Sequence, residues 1–366
     1  MKQSNSFPHP FIPQPAGIAQ YLRSALLGVF TRQPPVEPLG ENTKRGGFII
    51  HHLSFIILLL CAAPVFAQQT PLFSVYRDQW GVLNPAALSN NYLLNKRTMS
   101  LSGSWHVQWW NMPASPRTQA LSWEMVAEEQ NSVFGAHLVN DQTGAFSQTG
   151  AYARYAYRIN MGKRTAQSLS IGLSAGAVQY RADLSEIAFP DPGNAPTDNL
   201  RSVRPDFGVG VFYQYSDKYY AGVSVPQTLG FLTRFEQDGD AVAVRRAPHI
   251  FAVAGGYWST PWLGNSTSFV EPSVWVKYAP NGPINLDLNL RAQISELVWA
   301  GTGANVGMGT QPGVALHFEA GLFFGEQVQL TNGQLKTGFA FDLPVTQGLG
   351  RVFGGSAEVV VVYAWR

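Results

Sequence analysis

From Arg204 to Gln227 the chain reads RPDFGVGVFYQYSDKYYAGVSVPQ. Phe207, Val209, Val211, Tyr213 and Tyr215 share one parity, while Gly208, Gly210, Phe212 and Gln214 share the other. A period of two is the lettering of a strand with one apolar face. Ser216-Asp217-Lys218 interrupts it, and Tyr219, Ala221, Val223 and Val225 resume it. The stretch therefore predicts a β-hairpin on a short polar turn.

The same alternation recurs along the chain. It predicts strands near 96–110, 115–127, 132–140, 147–160, 167–183, 205–215, 218–226, 247–258, 267–279, 283–294, 297–305, 312–324, 334–343 and 355–365. Ile284, Leu286, Leu288 and Leu290 alternate with Asn285, Asp287, Asn289 and Arg291, and Leu169, Ile171 and Leu173 alternate with Ser170, Gly172 and Ser174. Val314, Leu316, Phe318 and Leu322 face away from His317 and Glu319, as Leu335, Phe339 and Phe341 do from Lys336 and Asp342. A basic side chain turned to lipid near the bilayer midplane costs about 2–4 kcal/mol, so the polar parity is expected inside a barrel. A slip of one residue would reverse every side chain. The longest connectors, Leu184–Arg204 and Thr228–Arg246, follow the fifth and seventh strands, and the tight turns Ser216–Lys218 and Ser295–Glu296 follow the sixth and tenth. Long loops on one side and short turns on the other suit an outer-membrane barrel. The expected fold is all-β, a transmembrane antiparallel β-barrel of about fourteen strands over 96–366, preceded by a cleaved signal peptide.

Composition sharpens this picture. Charged residues make up 13% and aromatics 13%, with 36 glycines, so charge is about half the share usual in a soluble domain. Mean hydropathy is near zero, which argues against a helical membrane protein. Outside residues 1–67 the 20 basic and 21 acidic residues nearly cancel, and nothing points to nucleic acid. The only cysteine, Cys61, lies in the leader, so no disulfide framework is expected. A lipid attachment at Cys61 would want a small residue where bulky Leu60 stands.

That leader has a basic start at Lys44-Arg45, an apolar run from Phe48 to Leu60, and small residues up to Ala67. It reads as a signal peptide over 44–67, cleaved between Ala67 and Gln68. Residues 1–43 are polar and Pro-rich, an unstructured extension or a start codon placed too far upstream. Residues 68–95 precede any clean alternation. They read either as a periplasmic segment at the barrel mouth, a plug, or as a lead-in to the first strand.

Several motifs carry a family resemblance. Phe73, Ser74 and Tyr76 precede Asn84-Pro85-Ala86; Pro205-Asp206-Phe207-Gly208, with Gly210, opens the hairpin run; Glu271-Pro272-Ser273 precedes Lys277-Tyr278; and Trp299-Ala300-Gly301 follows an Asp/Asn alternation. From about Pro71 onward the chain resembles the PorP/SprF family of outer-membrane proteins of the type IX secretion system. The resemblance implies a non-enzymatic component in the outer membrane of a Gram-negative bacterium, surrounded by outer-membrane lipid. It implies partners among the secretion machinery's subunits, or in the C-terminal domain of a secreted surface protein such as a gliding adhesin. The alternative is a porin or a transporter of hydrophobic compounds.

Candidate chemistry is thin. His106, His137, His249 and His317 show no metal-ligand spacing, and no GxSxG nucleophile motif occurs. His317 and Glu319 share a parity and could form a lumenal site, though ordinary lumen polarity explains them better. Gly301-Thr302-Gly303 and Gly307-Met308-Gly309 join no strand to a helix and suit tight packing rather than phosphate binding. No catalytic group, cofactor or metal is expected. Glu124, Arg291, His317, Glu319 and Lys336 fall on the inner parity and could fill the lumen. Trp105, Trp109, Trp110, Trp258, Trp262, Trp275 and Trp299 are candidates for interfacial girdles.

Overall fold

A computed structural model describes residues 73–366 except 163–166, 184–199, 217, 229–231, 238–239, 246–247, 264–266, 281, 309–312, 326–329, 331 and 347–351. The expected leader, its cleavage point at Ala67 and Gln68, and most of the connector 184–204 lie outside the described residues. Fourteen strands follow one another around a closed antiparallel sheet. They are β1 (Met99–Val107), β2 (Arg117–Ala127), β3 (Ser132–Thr143), β4 (Phe146–Met161), β5 (Gln167–Ala182), β6 (Leu200–Tyr215) and β7 (Tyr219–Val225). β8 (Ile250–Gly256), β9 (Phe269–Tyr278), β10 (Ile284–Gln293), β11 (Val298–Met308), β12 (Gly313–Phe324), β13 (Gly333–Pro344) and β14 (Ser356–Trp365) complete the ring. Each pairs with the next, and β14 closes on β1 from Met99↔Trp365 to Val107↔Ala357.

Closure leaves the wall no unpaired edge across most of its height, so its backbone groups are satisfied without water. The side chains are arranged inside out. On β10, Leu288 and Leu290 are exposed while Asp287, Asn289 and Arg291 are buried. On β5, Ile171 and Leu173 point outward and Ser170 and Ser174 inward. A soluble barrel inverts that order. An apolar exterior around a polar interior is the surface that lipid solvates.

The alternation placed all fourteen strands, and the differences lie at their ends. β6 begins at Leu200 rather than near 205, because it runs beside β5 without a break from Gln167↔Tyr215 to Ala182↔Leu200. β3 and β4 meet at a two-residue turn, 144–145, with Gly144 at φ 56°. The β7–β8 connector contains its own two-stranded hairpin, Leu232–Gln237 with Asp240–Arg245. The two rims are less cleanly sorted than expected. The tight 144–145 turn shares a rim with the long connectors, and the other rim carries 257–268, with a bridge at Trp258–Ser259 and a 3₁₀ turn at Pro261–Leu263.

Residues 73–95 occupy the lumen. A 3₁₀ turn, Tyr76–Gln79, leads into a single helical turn, α1 (Trp80–Leu83). The chain then crosses to α2 (Asn90–Asn95), whose N-cap Ser89 accepts a hydrogen bond from the Tyr92 amide. Ser74 donates its hydroxyl to Asp342, and Asn95 donates its amide to Gln334 at 3.3 Å. Both acceptors belong to β13, near its opposite ends, a rise of about 26 Å at about 3.3 Å per residue. The segment thus runs from one rim of the barrel to the other before β1 begins.

Candidate functional site: the plug and its anchoring wall

A segment crossing a polar lumen must satisfy its own backbone and neutralise the wall's buried charges. Both are done by side chains from many strands. Near the first rim, Glu358 of β14 accepts the backbone N–H groups of Ser74 at 2.5 Å and Val75 at 3.0 Å. In mid-lumen, Arg77 enters a nest of acids. Its Nη1 donates to Glu319 at 3.1 Å, its Nε lies 3.3 Å from Glu271, and its Nη2 donates to Ser273 at 2.7 Å. Arg291 clamps the same Glu319 with two hydrogen bonds, at 3.0 and 2.8 Å. Asp78 takes the Lys336 ammonium at 2.7 and 2.8 Å. Arg291 and Lys336 each lie 4.4 Å from the centre of the Trp299 ring. Plug and wall charges therefore alternate in sign within one buried network, which is how ionised groups survive out of water.

The second anchor holds the plug's middle. Arg154 of β4 pairs with Glu124 of β2 and donates to the carbonyls of Pro85 at 3.0 Å and Ala87 at 2.9 Å. Glu124 also accepts the Ser89 amide at 3.1 Å. Ser224 donates to the Leu83 carbonyl at 2.7 Å. Aromatic packing fills the rest: Trp80 meets Phe212 and Tyr220 edge-on, with ring centroids 5.9 and 5.5 Å apart, and Tyr76 lies 4.8 Å from Trp275. The Tyr76 hydroxyl contacts Ser273 at 2.6 Å.

Several family-motif residues meet here. Asn84 closes a local turn by accepting the Ala86 amide at 2.9 Å, and its Nδ2 donates to the Val211 carbonyl at 3.2 Å. The turn lies against β5 and β6 where they have no side chain: a Cβ on Gly210 would strike the Asn84 Oδ1, and one on Gly172 would strike the backbone at Pro85–Ala86. Ser273, behind Pro272, holds Tyr76 and Arg77; Trp299 packs under the plug with Val75; and Gly301 leaves space that Glu319 fills. Phe73 is buried at the first rim.

Other motif residues stand apart from the plug. Asp206 accepts the Tyr152 hydroxyl at 2.8 Å and the Phe207 amide at 3.0 Å, Phe207 points outward, and Gly208 lies against Ser174. Pro205 stands where β6 has passed the end of β7, whose ladder with it stops at Val209↔Val225. A residue without an N–H is tolerated at such an edge.

One expectation changes. Trp275 and Trp299 are buried in the lumen rather than set in a girdle, because they share the parity of Lys277 and Gly301 and stack against cations. Trp105, Trp110, Trp258 and Trp262 are exposed. His317 sits 2.8 Å from Asp342 and 3.6 Å from Glu319, but Glu319 is already engaged by Arg77 and Arg291, so the pair belongs to the plug's network. Arg77, Asp78 and Arg154 escaped the sequence reading. The available signal was an Arg-Asp pair between Tyr76 and Trp80, in a stretch without strand periodicity.

At the rim where Phe73 lies, a chamber of about 160 Å³ remains between plug and wall, lined among others by His106, Gln108, Trp109, Lys277 and Asp287. Lys277 donates to the Asp287 Oδ2 at 2.7 Å, while the buried Oδ1 has no hydrogen-bond partner among the described residues.

Comparison with solved structures returns barrels. The CymD monoaromatic hydrocarbon channel superposes with a TM-score of 0.46 at 12% identity, covering 82% of this chain and 98% of that one. The toluene transporter TodX of P. putida gives 0.43 at 8% identity, covering 78% and 93%. A FadL homologue of Pseudomonas aeruginosa gives 0.41 at 10% identity, covering 78% and 93%. No curated protein matches the sequence. Residues 65–363 match the family described as type IX secretion system membrane protein PorP/SprF.

Proposed function

The chain belongs to the PorP/SprF family of type IX secretion system membrane proteins, and from that premise we propose that it serves secretion, or surface retention, of secreted proteins in the outer membrane of a Gram-negative bacterium. It does so as a sealed, non-enzymatic scaffold whose loops and rims contact machinery subunits or the C-terminal domain of a secreted protein. One observation carries this reading: conspicuous motif residues, Asn84-Pro85-Ala86, Gly210, Ser273 and Trp299, are spent on seating a segment that fills the lumen. A pore or a transporter needs a path through the barrel. Here the path is taken by Arg77, Asp78 and their partners.

The long connectors offer the partner surface. The test deletes 191–198 and follows secreted proteins in cells, envelope and medium by quantitative proteomics, with barrel insertion checked by heat-modifiable migration. One or a few surface proteins should move to the medium. Unchanged surface proteins with the barrel inserted would exclude that loop as the anchor. Unchanged surface proteins on deleting the whole gene would overturn the function.

A further inference from the structure

The motif residues that stand apart from the plug meet one another. Thr228 donates its N–H at 2.7 Å and its hydroxyl at 3.0 Å to the Phe207 carbonyl, which ties together the two ends of the hairpin run. Gly208 lies where a Cβ would strike the Ser174 hydroxyl and the Pro226 carbonyl. Asp206 accepts the Tyr152 hydroxyl at 2.8 Å, and the His137 ring stacks on Tyr152 with centroids 4.7 Å apart. These contacts frame a second chamber, of about 40 Å³, toward the rim where β3, β5 and β7 end. Val82 and Leu83 of the plug line it together with Val139, Val178 and Phe251 of the wall. Gln227 lines it too. This residue is 8% exposed, and its buried Oε1 has no hydrogen-bond partner among the described residues. His137 and Ser174, both buried, bring a ring and a hydroxyl to the same lining.

We propose that this chamber docks an extended peptide segment of a secreted partner, which seats one small aliphatic side chain in it and pairs its backbone with the Gln227 amide. The inference rests on the proposed function, which supplies the partner and turns this rim to the cell exterior. Buried amide oxygens are rarely left without a donor, so the free Oε1 marks a place for one. A Gln side chain both donates and accepts. It can therefore bond the N–H and the C=O of one residue in an extended strand, which point to the same side. Size and charge select the rest of the ligand. A chamber of about 40 Å³ is far smaller than the roughly 150 Å³ cavity that admits benzene, so it takes a group the size of an Ala or Val side chain and no aromatic ring. No Asp, Glu, Lys or Arg is among the described residues lining it, so a neutral group fits and an ion does not. An aliphatic side chain flanked by backbone N–H and C=O is what an extended polypeptide presents.

The test uses two effects of opposite sign. Gln227→Leu keeps the volume and removes an amide whose buried oxygen is unpaired, so the heat-modifiability midpoint should hold or rise while binding weakens. A lower midpoint would make Gln227 a structural residue and overturn its role toward a ligand. In purified barrel the probes are N-acetylvaline methylamide and N-acetylphenylalanine methylamide, read by the His137 imidazole resonance, which His137→Gln assigns. The valine probe should shift that resonance saturably and the phenylalanine probe should not. Gln227→Leu should bind the valine probe about tenfold more weakly, the loss expected for one or two neutral hydrogen bonds. No saturable shift in the parent, equal shifts from both probes, or equal affinity in Gln227→Leu would each overturn the site. In cells, Gln227→Leu should release into the medium the same surface proteins that gene deletion releases. Retention in Gln227→Leu beside release on deletion would remove the chamber from partner binding and leave the proposed function standing. No release on deletion would overturn the function, and with it the partner, while the two probes still decide whether the chamber binds peptide.

Discussion

Replacing Arg77 with Ala tests the plug most directly. Removing one partner of a buried ion pair typically costs about 3–5 kcal/mol, because the other charge stays behind in a poor solvent. The local geometry sets the value here. Glu319 keeps both hydrogen bonds from Arg291, and Glu271 keeps the Tyr220 hydroxyl at 2.7 Å. Neither carboxylate is stranded, so the cost falls at the lower end, about 3 kcal/mol, or roughly a hundredfold in the balance between seated and unseated plug. The barrel itself should survive, because its ladder closes through β14 and β1 without help from residue 77. Planar-bilayer recording of purified protein reads the effect. The parent protein should be closed for nearly all of the record, and Arg77→Ala should open transiently about a hundred times more often. Arg77→Lys, which keeps a charge but loses the forked reach to Glu271, Glu319 and Ser273, should fall between them. Equal opening frequencies for parent and Arg77→Ala, with equal heat-modifiability midpoints, would refute the ion network as the plug's anchor. Steady conductance in the parent would refute the sealed lumen.

Other substitutions probe different parts. Gly172→Ala places a methyl against the Pro85–Ala86 backbone, so it should cost about 1–3 kcal/mol as overpacking and lower the temperature at which the folded band disappears from cold gels; an unchanged midpoint would deny the close approach. Leu173 is 59% exposed on the outer face of β5. Leu173→Arg there should cost about 2–4 kcal/mol near the bilayer midplane and reduce assembled barrel in the membrane fraction, whereas undiminished assembly would mean the exterior does not face lipid.

Much of this architecture is written in the residue order. Alternation along Ile284–Arg291 or Leu169–Ser174 settles both strand and face, because successive strand side chains point to opposite sides and lipid tolerates only one lettering outside. Hence all fourteen strands were legible, as were Glu124, Arg291, His317, Glu319 and Lys336 as lumenal groups. Strand ends were not. β6 gains Leu200–Arg204 only because β5 lies beside it to complete the ladder.

The plug is the part that only tertiary structure decided. Residues 73–95 have no regular period, since they are held in turn by side chains from many strands of the wall, and short helical turns such as Trp80–Leu83 are unstable alone. Their conformation is imposed by Glu358, Glu319, Lys336 and Arg154, which lie 67 to 284 positions further along the chain than their partners. Local sequence carries the period of a strand, but it carries no record of which distant charges will meet, because that depends on how the ring closes.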